Sequence, residues 1–335
     1  MNSPDLAQAR RFSVAPMMNL TDRHCRFFLR LLTRRTLLFT EMVTSAALIR
    51  GGAGWLLDFD PAEHPVAAQL GGSDPAELAE AAALAERLGY DEINLNVGCP
   101  SDRVQSGRFG ACLMAEPETV AVAVAAMKDR VGVPVTVKCR IGIDDQDSEA
   151  DLTRFAEAAA AAGVDALYVH ARKAWLEGLS PAENRDVPPL DYQRVYRLKA
   201  HLAPLPVIVN GGIGGLDAAR AHLVHADGVM LGRAAYQNAR MLLDADRAIF
   251  GDDRPPPALG AIRDAMTGYA EAALAGGQPL HRIVRHMLGL AHGQPGARRF
   301  RQILTVDAAC PGAGPRVIGR AFAVLEGADE MLETA

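Results

Sequence analysis

The chain has 335 residues, 49% hydrophobic and 22% charged, a composition that fits a globular protein able to bury a sizeable core, with one large domain and a smaller one. Its formal net charge of −5 gives no overall attraction for nucleic acid, so any such partner must be held by a local patch. A polar start from Met1 to Arg11, the lack of an apolar run long enough to span a bilayer, and an odd set of five cysteines without a Cys-x-x-Cys pair argue against secretion, a membrane span, a disulfide framework, a zinc site and an iron–sulfur cluster, and for a reducing cytoplasm.

Short β-branched or apolar runs then alternate with stretches rich in Ala, Leu, Glu and Arg. Strands are predicted at Phe12–Ala15, Leu37–Thr40 and Val66–Leu70, followed by a helix over Asp74–Leu88, with Asp74 as cap and Pro75 in the first turn. Further on, strands at Glu92–Asn96, Val135–Lys138, Ala166–His170, Val207–Asn210 and Gly228–Leu231 alternate with helices at Pro117–Arg130, Glu149–Ala162, Tyr192–His201 and Leu216–Val224. Eight such βα units predict an α/β fold, a (β/α)8 TIM barrel over residues 1–245. The competing doubly wound open sheet would show a Gly-x-Gly-x-x-Gly turn after its first strand, and none is there. Residues 246–257, ending in Pro255-Pro256-Pro257, read as a linker. Helix-period segments follow at Ala258–Leu274, Leu280–Leu290, Arg298–Leu304 and Val317–Leu332, which predicts a small all-α domain over residues 258–335.

Barrel enzymes carry their chemistry at the C-terminal ends of strands. Here those ends read Pro16-Met17, Glu41, Gln69 to Gly72, Asn96 to Cys99, Lys138 to Arg140, His170, Asn210-Gly211-Gly212 and Gly232-Arg233, all polar, charged or glycine-rich. Cys99 lies between Gly98 and Pro100, which break the strand and leave the thiol on a loop. A thiol there suits proton donation, nucleophilic attack or metal ligation, or it is a small buried apolar residue. The Asn210-Gly211-Gly212 and Gly232-Arg233 loops are placed to cradle a phosphate through backbone N–H groups, with Arg233 adding charge-assisted bonds. With no metal triad in sight, that points to a phosphorylated cofactor such as FMN. Lys138 ends an otherwise apolar strand and needs an anionic partner: an electron-rich flavin ring, or a carboxylate such as Glu41. His170 can bond a flavin carbonyl or phosphate, and Gln69 a flavin edge.

These residues resemble the tRNA-dihydrouridine synthase family. The resemblance is carried by Ala15-Pro16-Met17, Gln69-Leu70-Gly71-Gly72, Asn94 through Ser101, Val137-Lys138 to Arg140, His170-Ala171-Arg172, Asn210-Gly211-Gly212 and Gly232-Arg233. Longer strings, Thr21 to Arg26, Arg140 to Asp145, Ala171 to Trp175, Glu183-Asn184-Arg185, Pro188 to Tyr192 and His286 to Leu290, are similar to its A-type subfamily. Two places depart from the subfamily pattern: Met18-Asn19-Leu20 and Cys139. The resemblance implies an FMN enzyme that reduces the C5–C6 bond of uridine at positions 20 and 20a of the tRNA D-loop, with NADPH (or NADH) as reductant. It implies Ala15, Pro16, Met17, Gln69, Lys138, His170, Asn210, Gly211, Gly212, Gly232 and Arg233 as cofactor contacts. Cys99 is then the acid that protonates C5, since an ordinary thiol holds its proton at neutral pH. Asn96 bonds the uracil edge and Arg140 holds flavin or base, both assigned to the substrate side.

Between His281 and Arg301 lie Arg282, Arg285, Arg298, Arg299 and Arg301 with three histidines and no acid, a stretch expected to contact RNA, with Arg185 joining from the barrel. Arg298 and Arg301 are the tRNA contacts selected from it. A cytoplasmic monomer without metal is expected. The rival readings are a flavoprotein acting on free pyrimidines, which needs no basic helical domain, and a non-catalytic RNA-binding barrel, which would be colourless.

Overall fold

The structure is a computed structural model that describes residues 5–327. Its strands are β1 (Phe12–Val14), β2 (Leu37–Thr44), β3 (Val66–Gly71), β4 (Glu92–Val97), β5 (Val135–Arg140), β6 (Leu167–His170), β7 (Val207–Asn210) and β8 (Gly228–Leu231). Each pairs in parallel with the next, and β1 closes on β8 with Phe12 opposite Val229, so the predicted eight-stranded barrel is what forms. One strand end differs from expectation. β2 continues to Thr44, and its register on β3 shifts between Phe39 and Met42, so Glu41 sits in that irregularity and not at a strand terminus. There it accepts a hydrogen bond from the Asn19 backbone N–H.

Period-two alternation decides which side chains enter the barrel. On β4, Ile93, Leu95 and Val97 join the apolar shell between barrel and helices. Glu92, Asn94 and Asn96 take the other face and meet side chains of β3 and β5 inside. Leu37, Phe39, Ala67, Tyr168, Ile208 and Met230 form a separate apolar cluster that fills the remaining interior. The covering helices Pro75–Leu88, Pro117–Lys128, Glu149–Ala161, Tyr192–Leu202 and Leu216–His222 lie where they were predicted, within two residues at each end. Asp74 caps the first by accepting from the Glu77 N–H at 2.9 Å, and Ser148 with Asp151 forms a capping box on the third.

The predicted linker begins too early. A helix spans Leu242–Phe250, so residues 246–250 are helical, and irregular chain starts at Gly251, whose left-handed φ of 65° ends that helix. The helix Leu259–Ala275 follows as expected. The stretch from Leu280 to Leu290 is not one α-helix: it is α-helical over Leu280–Val284 and winds tighter, as a 3-10 helix, over Arg285–Ala291. There Gly289 is pressed against the backbone of Tyr236, Gln237 and Ala239, a contact only a residue without Cβ can make. Helices Ala297–Thr305 and Arg316–Leu325 complete the region; the last was predicted to run on to Leu332, but it is capped at Glu326 and Gly327 takes a left-handed φ of 71°, with residues 328–332 outside the described residues.

The Thr21-to-Arg26 string turns out to seat the helical region on the barrel. Asp22 caps the helix Arg23–Leu32 through the Cys25 N–H at 2.9 Å and also holds His286 at 3.0 Å and Arg285 at 3.1 Å. His286, fully buried, is hydrogen-bonded on its other ring nitrogen to the Tyr236 hydroxyl. Tyr269 stacks on Phe27 with centroids 4.1 Å apart and is hydrogen-bonded to His24 at 2.8 Å. Burial pushes His24 down to about 4 in spite of Asp22, with His286, Arg23 and Arg285 adding to the effect. Desolvation works against the Asp22 carboxylate, yet His286 and the capped backbone hold it down to about 2. The sign follows. Above pH 6.5, the ordinary His value, His24 contributes no loss; below it the unfolded chain takes up a proton that the folded protein refuses until about 4. Asp22 adds a second loss as pH falls from 3.8 toward about 2. Thermal melts across pH should show a flat midpoint between 6.5 and about 8, below the window in which buried Lys138 titrates, and a decline from 6.5 to 4 that is shallower in His24→Gln. Identical slopes in the two proteins would remove His24 as the cause.

Candidate active site

A cleft of about 1560 Å³ opens at the C-terminal end of the barrel. Ala15, Pro16 and Met17 line it from β1, Gln69 from β3, Asn96 and Cys99 from β4, Lys138 and Arg140 from β5, and His170 from β6. Asn210, Gly211 and Gly212 after β7, Gly232 and Arg233 after β8, and Arg185 in the long loop after β6 complete the wall. The polar strand ends, scattered over more than two hundred positions of sequence, therefore share one cavity.

Cys99 is half-buried, with Sγ 3.6 Å from the Ser101 hydroxyl. Its loop is held from both sides. Asn96 Oδ1 accepts from the backbone N–H of Gly98 at 3.2 Å and of Cys99 at 3.0 Å, and Arg140 Nε donates to the Gly98 carbonyl at 2.9 Å. Arg140 Nη1 also donates to the carbonyls of Lys173, at 3.0 Å, and Asn184, at 2.9 Å. Most of this guanidinium is thus committed to backbone, and Arg140 clamps the cysteine loop in addition to lining the cleft. Of the other cysteines, Cys25 and Cys139 are buried among apolar side chains, where burial pushes both thiols up. Cys139 faces the outer shell, so this departure from the subfamily pattern lies off the cavity wall.

Lys138 has no hydrogen-bonding or ion-pair partner among the described residues, and Glu41 is not one. Desolvation, with a smaller contribution from Arg140, pulls its ammonium down to about 8. His170 likewise makes no side-chain hydrogen bond. Burial, then Arg140, Lys138, Arg172 and Arg185, hold its ring neutral, well below the ordinary His range. Two cavity-lining polar groups without partners mark the place where a ligand would supply them. Gly211 and Gly212 adopt left-handed φ values of 112° and 66°. A Cβ on Gly211 would lie 2.7 Å from the His170 ring, and one on Gly212 would lie 2.6 Å from Leu190, so both glycines are required sterically as well. Asn210 turns inward to donate to the Met230 carbonyl at 2.7 Å and braces the loop. Arg233 is paired with Asp186 through two bonds of 3.1 and 2.5 Å. The pair is solvent-exposed and so costs little to exchange for another anion.

The acid-free stretch divides in two. Arg285 and His286 are engaged with Asp22, as described, and are not free for a partner. Arg298 and Arg301 lie away from the cleft, exposed and without an acidic partner among the described residues, and Arg282 is exposed on the cleft wall. Strand-end reasoning missed Trp55, Met18 and Tyr269, which also line the cavity. Trp55 is 70% exposed, and it comes from a short 3-10 turn after β2 that carries no periodic signal. Among the described residues, no group of three or more His, Cys, Asp or Glu is arranged to hold a metal ion, and no helix is long and apolar enough to cross a membrane.

Known proteins resemble this chain over most of its length. The tRNA-dihydrouridine(20/20a) synthase of Vibrio parahaemolyticus serotype O3:K6 is 55% identical over 314 residues, 93% of this chain and 96% of that protein. The protein of the same name from Salmonella typhi is 56% identical over 318 residues, 95% of this chain and 96% of its own. Among solved structures, a 2-naphthoyl-CoA reductase complex superposes with a TM-score of 0.54 at 11% identity, over 72% of this chain and 50% of that one, a likeness of fold alone. The profile of the family described as dihydrouridine synthase (Dus) matches residues 13–310. The chain belongs to the dihydrouridine synthase family.

Proposed function

We propose that this chain reduces the C5–C6 double bond of uridine to 5,6-dihydrouridine at positions 20 and 20a of the tRNA D-loop, with FMN as resident cofactor, NADPH as reductant and Cys99 as proton donor. The observation that carries the reading is the meeting of Cys99, on its braced loop, with unpartnered Lys138 and His170 and the Gly211–Gly212 turn in one cavity. Those residues fit FMN. Gly211, Gly212 and Gly232 leave backbone exposed for a phosphate, Arg233 and neutral His170 add donors, and the Lys138 ammonium suits the electron-rich edge of the ring system. Gln69 and the Ala15-Pro16-Met17 turn, held by the Met17 N–H on the Thr21 hydroxyl at 2.9 Å, complete the proposed cofactor wall. When bound, FMN supplies the hydride for C6.

The chain's own part is positioning and the proton. Asn96 and the Arg140 clamp set the Cys99 loop, the thiol passes its proton to C5, and the resulting thiolate regains one from solvent. A uridine in a folded tRNA must first leave its stack, at about a few kcal/mol. Phosphate contacts then hold the elbow in register. Arg298, Arg301 and Arg185 are proposed for that task, with Arg282 now added because it lines the cleft. We place the enzyme in the cytoplasm, as a monomer.

The test uses purified protein, NADPH and tRNA lacking dihydrouridine, with modified positions mapped by mass spectrometry. Dihydrouridine at 20 and 20a is the expected product; modification of free uracil but not tRNA would favour a free-pyrimidine enzyme. In the same assay, Arg298→Ala with Arg301→Ala should weaken tRNA binding and reduce its salt slope by about one per lost contact, with cofactor reduction by NADPH untouched. An unchanged slope would move the RNA surface to Arg185 and Arg282.

A further inference from the structure

A buried polar chain runs from the cysteine loop down the inside of the barrel. The N–H groups of Gly98 and Cys99 donate to Asn96 Oδ1, and Asn96 Nδ2 donates to Gln69 Oε1 at 2.9 Å. Gln69 Nε2 donates to Asn94 Oδ1 at 2.8 Å, Asn94 Nδ2 to Thr136 Oγ1 at 2.9 Å, and Thr136 Oγ1 to Glu92 Oε1 at 2.7 Å. Glu92 is 0% exposed and is secured by Arg10 Nε at 2.7 Å and the Tyr168 hydroxyl at 3.0 Å. Every bond in the chain points the same way. Backbone N–H groups can only donate and an ionised carboxylate can only accept, so between these two ends the three amides have a single self-consistent orientation, and the Thr136 hydroxyl lies 2.7 Å from Glu92 and 3.3 Å from the Ile93 carbonyl.

We propose that Glu92, at the far end of β4 from the thiol, is a positioning residue for the reaction, acting through Thr136, Asn94, Gln69 and Asn96 to fix the Cys99 loop and to present amide donors, not acceptors, at the cavity wall. The proposal rests on the functional reading above. Its physical basis is threefold. Side-chain amides are nearly symmetric and flip at little cost unless a partner forbids it. Here the oxygens of both amides accept within the chain, Asn96 from two N–H groups and Gln69 from one, while each NH2 group retains one N–H beyond it, and both residues line the cleft. They are therefore set to meet carbonyl oxygens, such as those of a pyrimidine or flavin ring. Finally, the Glu92 charge polarises successive hydrogen bonds in a water-excluded interior and stiffens the grip on the Cys99 N–H. Buried polar networks of this kind specify one arrangement only when complete, so breaking one link should be felt at the other end.

Thr136 offers the cleanest cut, because Thr136→Val keeps the shape of the side chain and leaves Glu92 with Arg10 and Tyr168. In the cofactor-loaded enzyme, Thr136→Val should slow dihydrouridine formation from pre-reduced protein by about 10- to 100-fold, as for slight misplacement of a reacting group. Thr136→Ser, which keeps the hydroxyl, should restore the rate, whereas a packing role for the threonine methyl would leave it impaired. Glu92→Gln, if it folds, should resemble Thr136→Val. Peptide-resolved alkylation of Cys99 by iodoacetamide across pH gives a second readout independent of turnover. Its profile should shift in Thr136→Val and match wild type in Thr136→Ser. Wild-type turnover and an unshifted profile in Thr136→Val, or equal defects in the Val and Ser variants, would overturn the proposal. If the wild-type protein makes no dihydrouridine, the functional reading fails, and the alkylation profiles still decide whether the chain sets the thiol.

Discussion

Cys99→Ala should reduce dihydrouridine formation by about 10²- to 10⁴-fold while leaving cofactor reduction intact, because a general acid acts only on the step that protonates carbon. The separation is sharp because the hydrogen bond of the thiol among the described residues goes to Ser101, and the loop is held through backbone atoms by Asn96 and Arg140. Alanine keeps those backbone bonds. Stopped-flow measurement of NADPH-driven bleaching, followed by a single-turnover assay with tRNA, reads the two half-reactions separately. A mutant that modifies tRNA at the wild-type rate would remove Cys99 as the acid and reduce its loop to a structural turn.

Lys138→Met should be the most damaging change to cofactor retention. Among the described residues the ammonium has no partner of its own, so removing it takes away a charge-assisted bond to the cofactor without freeing another group. Hydrogen bonds to charged groups contribute about 1.5–3 kcal/mol, which corresponds to about 10- to 100-fold weaker FMN binding. The lysine also makes a pH prediction. Burial lowers it to about 8 in the free protein, so apoprotein should bind FMN with full affinity below that value and progressively less above it. Lys138→Met should lose this dependence. FMN titration of apoprotein at several pH values measures both effects; full occupancy after desalting and a wild-type pH profile in the variant would place the flavin elsewhere.

The barrel was legible because its signals are local. Strand and helix periods, Asp74 as a cap and first-turn prolines each act within a few residues, and the closed sheet confirms all eight strands. The site was legible for a related reason. In a parallel barrel every strand ends on the same rim, so listing strand ends amounts to listing the cavity wall, from Ala15 to Arg233. Residues that reach the cavity from other elements, as Trp55 and Tyr269 do, carry no such strand-end signal. The linker starts later than predicted, because helix continuation past residue 245 depends on the buried Asp246, whose carboxylate accepts from Thr33 at 2.6 Å and from the Arg34 N–H at 2.7 Å.

By itself, then, the order of residues determined the fold class, the cysteine loop and the glycine turns, since hydrophobic period, backbone freedom and loop chemistry are properties of neighbours in the chain. Partnership was decided only in three dimensions. Arg285 and His286 looked like RNA contacts until the docked helices brought them onto Asp22, some 260 positions away. Lys138 could have paired with Glu41, but the shift in β2 gave Glu41 to the Asn19 backbone and left the ammonium facing the cavity alone. The alternation Glu92, Asn94, Asn96 looked like a strand with a polar face, and closure of the barrel made it a directed chain because β3 and β5 supplied Gln69 and Thr136 at matching heights. Charges and amides act through space with whatever the fold sets beside them, so their roles become fixed only when distant segments meet.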